Sequence, residues 1–348
     1  MKIAVLMGGT SPEREISIRT GAGVSRALHG LGHEVVLLDT GTGKLLQGGE
    51  LQAALGNPAG PIALAPTAIP PSAVNAGLQP LVHGLSRDVD LVFVALHGGE
   101  GENGTLQALL DLARVPYTGS GVLASALAMD KAISKRIFAQ EAVPTPDWVE
   151  RWAPEDPAQP WSPELDGEEI ERLGGFPVIV KPNDQGSTVG ITVAQTHAEL
   201  TQGLHTARRY GRLALIERYI PGREVTVSVL DDRPLPVVEI IPEGGFYDYE
   251  HKYTAGASRY ECPAALPPET TDRLLHLGLR ACRALRTRGV ARVDFRLDDD
   301  LTPFCLEVNT VPGLTETSLV PKAAAAAGMS YADLVRAIVD AAPVQATP

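Results

Sequence analysis

The chain has 348 residues, 44% of them hydrophobic, a formal net charge of −12 and a mean hydropathy near zero. That length predicts two or three globular domains, and the composition excludes a disordered chain, while no apolar run approaches the ~20 residues of a membrane span. The acidic balance argues against a general nucleic-acid partner, which needs Lys and Arg to neutralise phosphates. The three scattered cysteines, Cys262, Cys282 and Cys305, have neither metal-ligand spacing nor an even disulfide count, so they read as reduced, packed thiols of a cytoplasmic protein.

The apolar run 2–7 meets Gly8-Gly9 too early for a secretory signal and reads as a first strand. A helix from about Glu15 to Gly30 and a strand over 34–38 complete a βαβ opening. Asp39, at the end of that second strand, could grip a ribose in a dinucleotide fold, but the Gly8–Pro12 loop lacks the G-x-G-x-x-G order. The Gly41-Thr42-Gly43-Lys44 run imitates a P-loop but has the wrong residues on both sides, and is read as a surface loop. Glu13 lies in the loop after the first strand, at the edge where open α/β sheets bind ligands, although a Glu there could equally serve a helix dipole.

Residues 48–85 are rich in Gly, Pro and Ala, and carry no assignable chemistry. The apolar run 89–96 predicts a strand covered on both faces; it ends in His97-Gly98-Gly99-Glu100-Gly101-Glu102-Asn103-Gly104 before a helix over 105–113. A Gly-rich strand-to-helix turn presents backbone N–H groups to an anion, which makes His97 a candidate. A single long helix is predicted from Gly119 to about Ala142, with Lys131 and Lys135 one turn apart, followed by a proline-rich exposed excursion over 152–168.

A strand over 176–182 carries Lys181, then Asn183 to Gly190 form a small flexible loop rich in Gly and hydroxyls before a strand from Ile191. Such a loop can lie over phosphates or be an ordinary hairpin turn; the lysine beside it suits a phosphate. The strand 213–220 presents Glu217 and neighbouring backbone to an amine such as that of adenine. Glu224, before the strand 225–230, could accept from ribose hydroxyls or be a solvated edge residue.

Residues 290–318 form the most informative stretch. Alternation predicts two strands joined at the acidic turn Asp298-Asp299-Asp300-Leu301, with Val293, Phe295 and Leu297 on one face and Arg292 and Asp294 on the other. In the second strand Phe304, Leu306 and Val308 are expected to share the core face, opposite Glu307 and Asn309. A four-residue loop after Asp298 pairs Asp294 with Glu307 and Arg292 with Asn309. The result is either a solvated acidic face or a cradle of hard oxygen donors for Mg²⁺, with an arginine for an anion. Thr310-Val311-Pro312-Gly313 follows as a rigid turn whose glycine permits close approach of a ligand.

This last stretch resembles the metal-binding end of the ATP-grasp ligases. The resemblance narrows to the D-alanine–D-alanine ligases through Met-Gly-Gly-Thr-Ser-Pro-Glu-Arg-Glu at 7–15, Ala-Leu-His-Gly-Gly-Glu-Gly-Glu-Asn-Gly-Thr-Leu-Gln at 95–107 and Pro-Tyr-Thr-Gly-Ser-Gly at 116–121. It continues through Met-Asp-Lys at 129–131, Gly-Ser-Thr-Val-Gly at 186–190 and Phe-Tyr-Asp-Tyr-Glu-His-Lys-Tyr at 246–253, and so spans essentially the whole chain. The resemblance implies a three-domain α/β (α+β) ATP-grasp fold: an N-terminal open parallel α/β domain over 1–120, and two subdomains, 121–216 and 217–348, that clamp ATP. It implies ATP-dependent ligation of two D-alanines through an acyl phosphate, in a cytoplasmic enzyme of peptidoglycan synthesis, with D-alanine and ATP as partners, no nucleic acid or membrane, and a homodimeric assembly.

Carried onto this chain, the resemblance puts Lys131, Lys181, Gly186 and Ser187 at the ATP phosphates and Glu217, Ile220 and Glu224 around adenine and ribose, with Lys252 reaching toward the transferred phosphate. Asp294, Glu307 and Asn309 would bind two Mg²⁺ (or Mn²⁺) ions. Glu13 would pair with the first D-alanine's ammonium, with His97 near its carboxylate and Ser187 and Tyr253 linked to Glu13. Arg292 and the Gly313 N–H would stabilise the oxyanion, and Ser318 with the Gly313 turn would take the second carboxylate. Tyr253 favours the dipeptide over D-alanyl-D-lactate; D-alanyl-D-serine is a further alternative. Thr188 and Val311 stand where many relatives have Ser. A catalytically silent nucleotide-binding regulator should have lost the metal carboxylates or Arg292, and all are present.

Overall fold

The computed structural model describes residues 1–46, 89–156, 159, 161, 163–242 and 258–343. The 48–85 stretch, Lys252 and Tyr253 therefore lie outside the described residues, as do four positions of the 152–168 excursion.

Three sheets organise the described residues. The first has the order β3-β2-β1-β4, from β1 (Lys2–Met7), β2 (Glu34–Asp39), β3 (Lys44–Leu45) and β4 (Leu91–Val94). β1 is parallel to β2 and β4, as the βαβ reading requires, and β3 adds an antiparallel edge. The run read as a surface loop at 41–44 is thus the turn of a short hairpin back onto β2.

Both faces of this sheet are covered, which is why β1 and β4 read as continuous apolar runs. Ile3, Val5 and Met7 pack with Val24 and Leu28 of the Arg14–Gly30 helix, and with Leu334, Val335 and Ile338 from near the other end of the chain. Ala4, Leu6, Val92 and Val94 face Leu106 and Leu110 of the Thr105–Leu112 helix.

The second sheet is antiparallel, with the order β5-β8-β6-β7, from β5 (Trp148–Trp152), β6 (Val178–Pro182), β7 (Thr192–Ala194) and β8 (Leu213–Arg218). Val178, Val180, Ala214 and Ile216 pack on Leu200 and Leu204 of the His197–Ala207 helix, whose first turn is capped by the Thr196 hydroxyl.

The third sheet contains β9 (Arg223–Leu230), β10 (Arg233–Pro234), β11 (Val238–Pro242), β12 (Ser258–Glu261), β13 (Val290–Leu297) and β14 (Pro303–Asn309), along the path β12-β11-β9-β13-β14 with β10 beside β9. The Pro268–Ala284 helix buries Leu274, Leu277, Gly278, Ala281 and Cys282, a stripe at helical spacing, against it. Gly278 belongs there because a Cβ would lie 2.8 Å from Val227.

Two expectations are corrected. The helix predicted over 119–142 is two, Val122–Met129 and Lys131–Gln140. Asp130 takes an extended conformation between them and its carboxylate accepts the Ile133 N–H at 2.9 Å, so a residue read as helix interior is an N-cap.

The second correction concerns the β13–β14 hairpin. Arg292 pairs with Asn309 and Asp294 with Glu307 as expected, but Phe295 pairs with Cys305, so Leu306 is the extra residue of a β-bulge. The tip is one residue tighter than expected, with Asp298 N–H bonded to the Thr302 carbonyl and Leu301 at φ 59°. Bulge and turn offset one another. The core position beside Phe295 is consequently filled by buried Cys305, while Phe304 and Leu306 leave the core face.

Among the described residues, no helix is long and apolar enough to cross a membrane. Cys282 and Cys305 are buried, Cys262 is half-buried, and all three are free thiols. Burial pushes the Cys282 and Cys305 thiols up, which suits packing rather than reactivity.

Candidate active site

The Asp184–Val189 segment is a partition between two pockets. On one side it faces the loop after β1 and the His97–Gly101 turn; on the other it faces Lys131, Lys181, Glu217, Ile220 and the β13–β14 hairpin. Gln185, Gly186, Ser187 and Val189 line both. The turn is tight: Ser187 and Thr188 have φ of 52° and 62°, and Val189 N–H bonds to the Gly186 carbonyl.

In the first pocket, the Ser187 hydroxyl donates to the Glu13 carboxylate. The loop that carries Glu13 is pinned by a bidentate pair: Arg14 Nη1 and Nη2 reach the two Asp39 oxygens at 2.7 and 2.5 Å, and Nη1 also donates to the Gly9 carbonyl. Gly8 fits above Asp39 because a Cβ would lie 2.1 Å from Oδ1, at φ +80°. Asp39 therefore holds its own loop, not a ribose.

His97 is buried. Its Nδ1 donates to the Val311 carbonyl at 2.9 Å, its Nε2 meets the Thr20 hydroxyl at 3.0 Å, and Glu102 lies 3.8 Å from Nδ1. Burial opposes its protonation, but the carboxylates of Glu102 and Glu13 outweigh that, so the imidazole is held above its ordinary pKa. It thereby ties the N-terminal sheet to the turn that follows β14.

In the second pocket, Lys131 Nζ donates to the Gln185 carbonyl at 2.7 Å and lies 3.2 Å from Glu307, linking the partition to the acidic hairpin. The buried Glu217 carboxylate sits between two lysines, Lys181 at 2.8 Å and Lys135 at 3.0 Å. Burial alone would push its carboxyl up; the two ammonium groups hold it below its ordinary value. Its side chain is engaged with lysines, whereas the strand pattern offers it to adenine.

On β13, Arg292, Asp294 and Arg296 share one face. Arg292 grips Asp294 through Nε and Nη2 at 2.7 and 2.8 Å. Arg296 donates to the Ile220 carbonyl at 3.1 Å and lies 3.5 Å from Glu224. Asn309 Oδ1 accepts the Val311 N–H, and beyond it Gly313 and Ser318 adjoin, since a Cβ on Gly313 would lie 3.1 Å from Ser318 Oγ. Ser318 precedes the Leu319–Ala326 helix, whose first turn leaves backbone N–H groups for an anion.

The described candidates thus fall into three connected places. Glu13, His97 and Ser187 line the first pocket; Lys131, Lys181, Gly186, Glu217, Ile220, Glu224, Asp294 and Glu307 line the second. Arg292, Asn309, Gly313 and Ser318 occupy the adjoining hairpin end and turn. Sequence reasoning misses Arg14 with Asp39, Lys135, Glu102 and Arg296. The alternation that selects Arg292 and Asp294 also carries Arg296, and helical spacing puts Lys135 one turn from Lys131. The Arg14–Asp39 pair has no local signal across 25 residues.

A family model described as the D-ala D-ala ligase N-terminus matches residues 2–120, and one described as the D-ala D-ala ligase C-terminus matches residues 137–340. The chain is 43% identical to the D-alanine–D-alanine ligase of Gloeobacter violaceus over 98% of this chain and 99% of that one. It is 42% identical to that of Syntrophotalea carbinolica over 99% and 97%. The crystal structure of the Bacillus anthracis D-alanine–D-alanine ligase complexed with ATP superposes with a TM-score of 0.75 at 32% identity, covering 98% of this chain and 97% of that one, and the sheets described above are those of an ATP-grasp fold. With both halves matched and relatives aligned along nearly its whole length, this chain belongs to the D-alanine–D-alanine ligase family.

Proposed function

We propose that the protein is an ATP-dependent ligase that joins two D-alanines into D-alanyl-D-alanine for peptidoglycan precursor synthesis. The observation that carries this reading is the shared partition: one glycine-hydroxyl turn separates a pocket with Glu13 and His97, suited to an amino acid, from one with lysines and an acidic hairpin, suited to a nucleotide. Transfer of a phosphoryl group between the two needs such an adjacency. The division into domains 1–120, 121–216 and 217–348 follows the same logic, each holding one sheet, with β8 running two residues past the second boundary.

In the first step a carboxylate oxygen of one D-alanine attacks the γ-phosphorus of ATP and the bond to ADP breaks. Lys131 and Lys181 offset charge at the phosphates beneath Gly186 and Ser187, with Ile220 and Glu224 near adenine and ribose. Glu13 holds the ammonium of that D-alanine, and Ser187 fixes the Glu13 carboxylate. In the second step the uncharged amine of another D-alanine attacks the acyl carbon, phosphate leaves with the bonding pair, and the amine loses a proton. Arg292 and the Gly313 N–H meet the tetrahedral oxyanion, while Ser318 and the adjacent helix start receive the second carboxylate. Asp294 engages two of the five Arg292 N–H donors, which fixes the plane of the guanidinium.

The donor set suits Mg²⁺. No cluster of three His, Cys, Asp or Glu exists among the described residues, but a cation that shares ligands with substrate phosphates needs only one or two carboxylates. Asp294, Glu307 and Asn309 would hold two Mg²⁺ ions, which would neutralise charge on the transferring phosphoryl group.

Purified protein supplied with ATP, Mg²⁺ and D-alanine should release ADP and phosphate and yield the dipeptide by mass spectrometry; ATP turnover without dipeptide sinks the assignment. D-lactate or D-serine supplied in competition tests the choice of second substrate.

A further inference from the structure

Lys135 is the most deeply buried cation of the site, and neither step of the reaction gives it a task. Its side chain is fully buried, 3.0 Å from Glu217 Oε1, 2.8 Å from the Thr145 hydroxyl, and over the Trp148 ring at 5.3 Å. The other Glu217 oxygen lies 2.8 Å from Lys181. The side chains thus form a chain, Thr145–Lys135–Glu217–Lys181, that begins at half-buried Thr145, passes through buried Lys135 and ends at the nucleotide pocket, which Lys181 and Glu217 line.

An isolated buried ammonium is costly, and one held by a single neutral hydroxyl would lose its proton. Here one carboxylate serves two ammonium groups, leaving a net positive charge at the phosphate end. With the Lys135 ammonium 3.0 Å from one oxygen, the Glu217 carboxylate is held by charge from both sides, and its other oxygen faces the Lys181 ammonium at 2.8 Å. Were Lys135 absent, Glu217 and Lys181 would form a neutral pair, free to swing and less attractive to phosphate.

We propose that Lys135 is a positioning residue of the nucleotide site, holding Glu217 so that Lys181 is both oriented and left with net positive charge around it. The inference rests on the nucleotide reading of that pocket. A second trait sets it apart from a purely structural lysine. Burial pulls the Lys135 pKa down to about 8 against the support of Glu217, with Lys181 pulling the same way as burial and the Cys305 thiol opposing. The groups facing it are Glu217 on β8, Lys181 on β6, Trp148 on β5, Cys305 on β14 and Thr145. Its charge, and the order it imposes, should therefore fade as pH rises through about 8.

The test is the KM for ATP of the full chain, followed from pH 7 to 9 with D-alanine saturating, for wild type and Lys135→Met. The wild-type KM should rise across this range. In Lys135→Met it should already be about tenfold or more higher at pH 7, the loss expected for a hydrogen bond to a charged group, and should not vary with pH. The KM for D-alanine should stay within about twofold, because uniform damage to the fold would move both. A KM for ATP within twofold of wild type, or equal rises for both substrates, overturns the positioning role. If Lys135→Met does not fold, Thr145→Val carries the test: removing the hydroxyl that supports the charged lysine should start the rise in KM at lower pH, and a profile superimposable on wild type overturns the proposal. A wild-type chain that binds no ATP by calorimetry overturns the nucleotide reading itself, a result distinct from either.

Discussion

Asp39→Asn isolates the lock beneath the Glu13 loop. Removing one partner of a fully buried ion pair costs about 3–5 kcal/mol, whereas exposed pairs are worth about 0.2–1 kcal/mol. Asp39 keeps 3% of its side chain exposed and Arg14 keeps 30%, so this pair lies between those limits. Asparagine retains an acceptor for the Gly41 N–H, now 3.0 Å from Oδ1, but turns an amide N–H₂ toward a guanidinium that can only donate. The expected loss is about 2 kcal/mol, or a fall of about 4–8 °C in the melting of a unit of this size. Burial alone would push the Asp39 carboxyl up, but Arg14, Thr42 and the Gly41 N–H hold it below its ordinary 3.8. A depressed carboxyl stabilises the fold above its unfolded pKa and loses that contribution as pH falls through the folded one. The difference between wild type and Asp39→Asn should thus be constant from pH 5 to 7 and shrink as the pH falls below 3.8. Denaturant melts at those pH values measure it, and KM for D-alanine should rise because Arg14 follows Glu13 directly. A variant within ~0.5 kcal/mol of wild type at neutral pH would refute the lock, since that is the range of an ordinary surface change.

Glu307→Gln should leave the melting profile near wild type yet lower turnover by about a hundredfold or more and raise the Mg²⁺ concentration needed for half-maximal rate, measured by ADP release; near-normal activity contradicts its metal role. Gly222→Ala should destabilise by about 2 kcal/mol or more, because φ is +102° and a Cβ would sit 2.2 Å from the Leu297 carbonyl oxygen. A Gly222→Ala protein with unchanged denaturation midpoint would show that the hairpin tip yields to it.

Much of the acidic hairpin is legible in the amino-acid order alone. The period-two alternation of residues 290–309 sets Arg292 opposite Asn309 and Asp294 opposite Glu307, and the pairing is observed. That agreement is partly fortuitous, since alternation implies a turn one residue too long and the bulge at Leu306 compensates. A bulge has no side-chain signature of its own here. Cys305 is small and apolar, and Phe304 and Leu306 are larger and apolar, so alternation alone assigns the core to the wrong pair. The 119–142 helix divides for a related reason: Asp130 is an ordinary interior residue by propensity until its carboxylate finds the Ile133 N–H. Glu217 and the Arg14–Asp39 pair depend on side chains meeting from helices and strands distant in the chain, which no local pattern encodes.

The bulge at Leu306 also decides where this protein can change length. Because side chains alternate with a period of two, one extra residue swaps inside for outside, and everything past Leu306 takes the opposite sense from everything before it. The chain is therefore written in two phases, one for the core that Cys305 helps fill and one for the acidic face of Glu307 and Asn309. Deleting Leu306 would only remove the bulge, leaving Glu307 opposite Asp294 and Val308 opposite Val293, whereas deleting Val308 would bring Asn309 opposite Val293 and into the core. Length variation in descendants of this chain should accordingly fall at the acidic tip, Asp299 to Leu301, or at Leu306 itself, and not between Glu307 and Asn309.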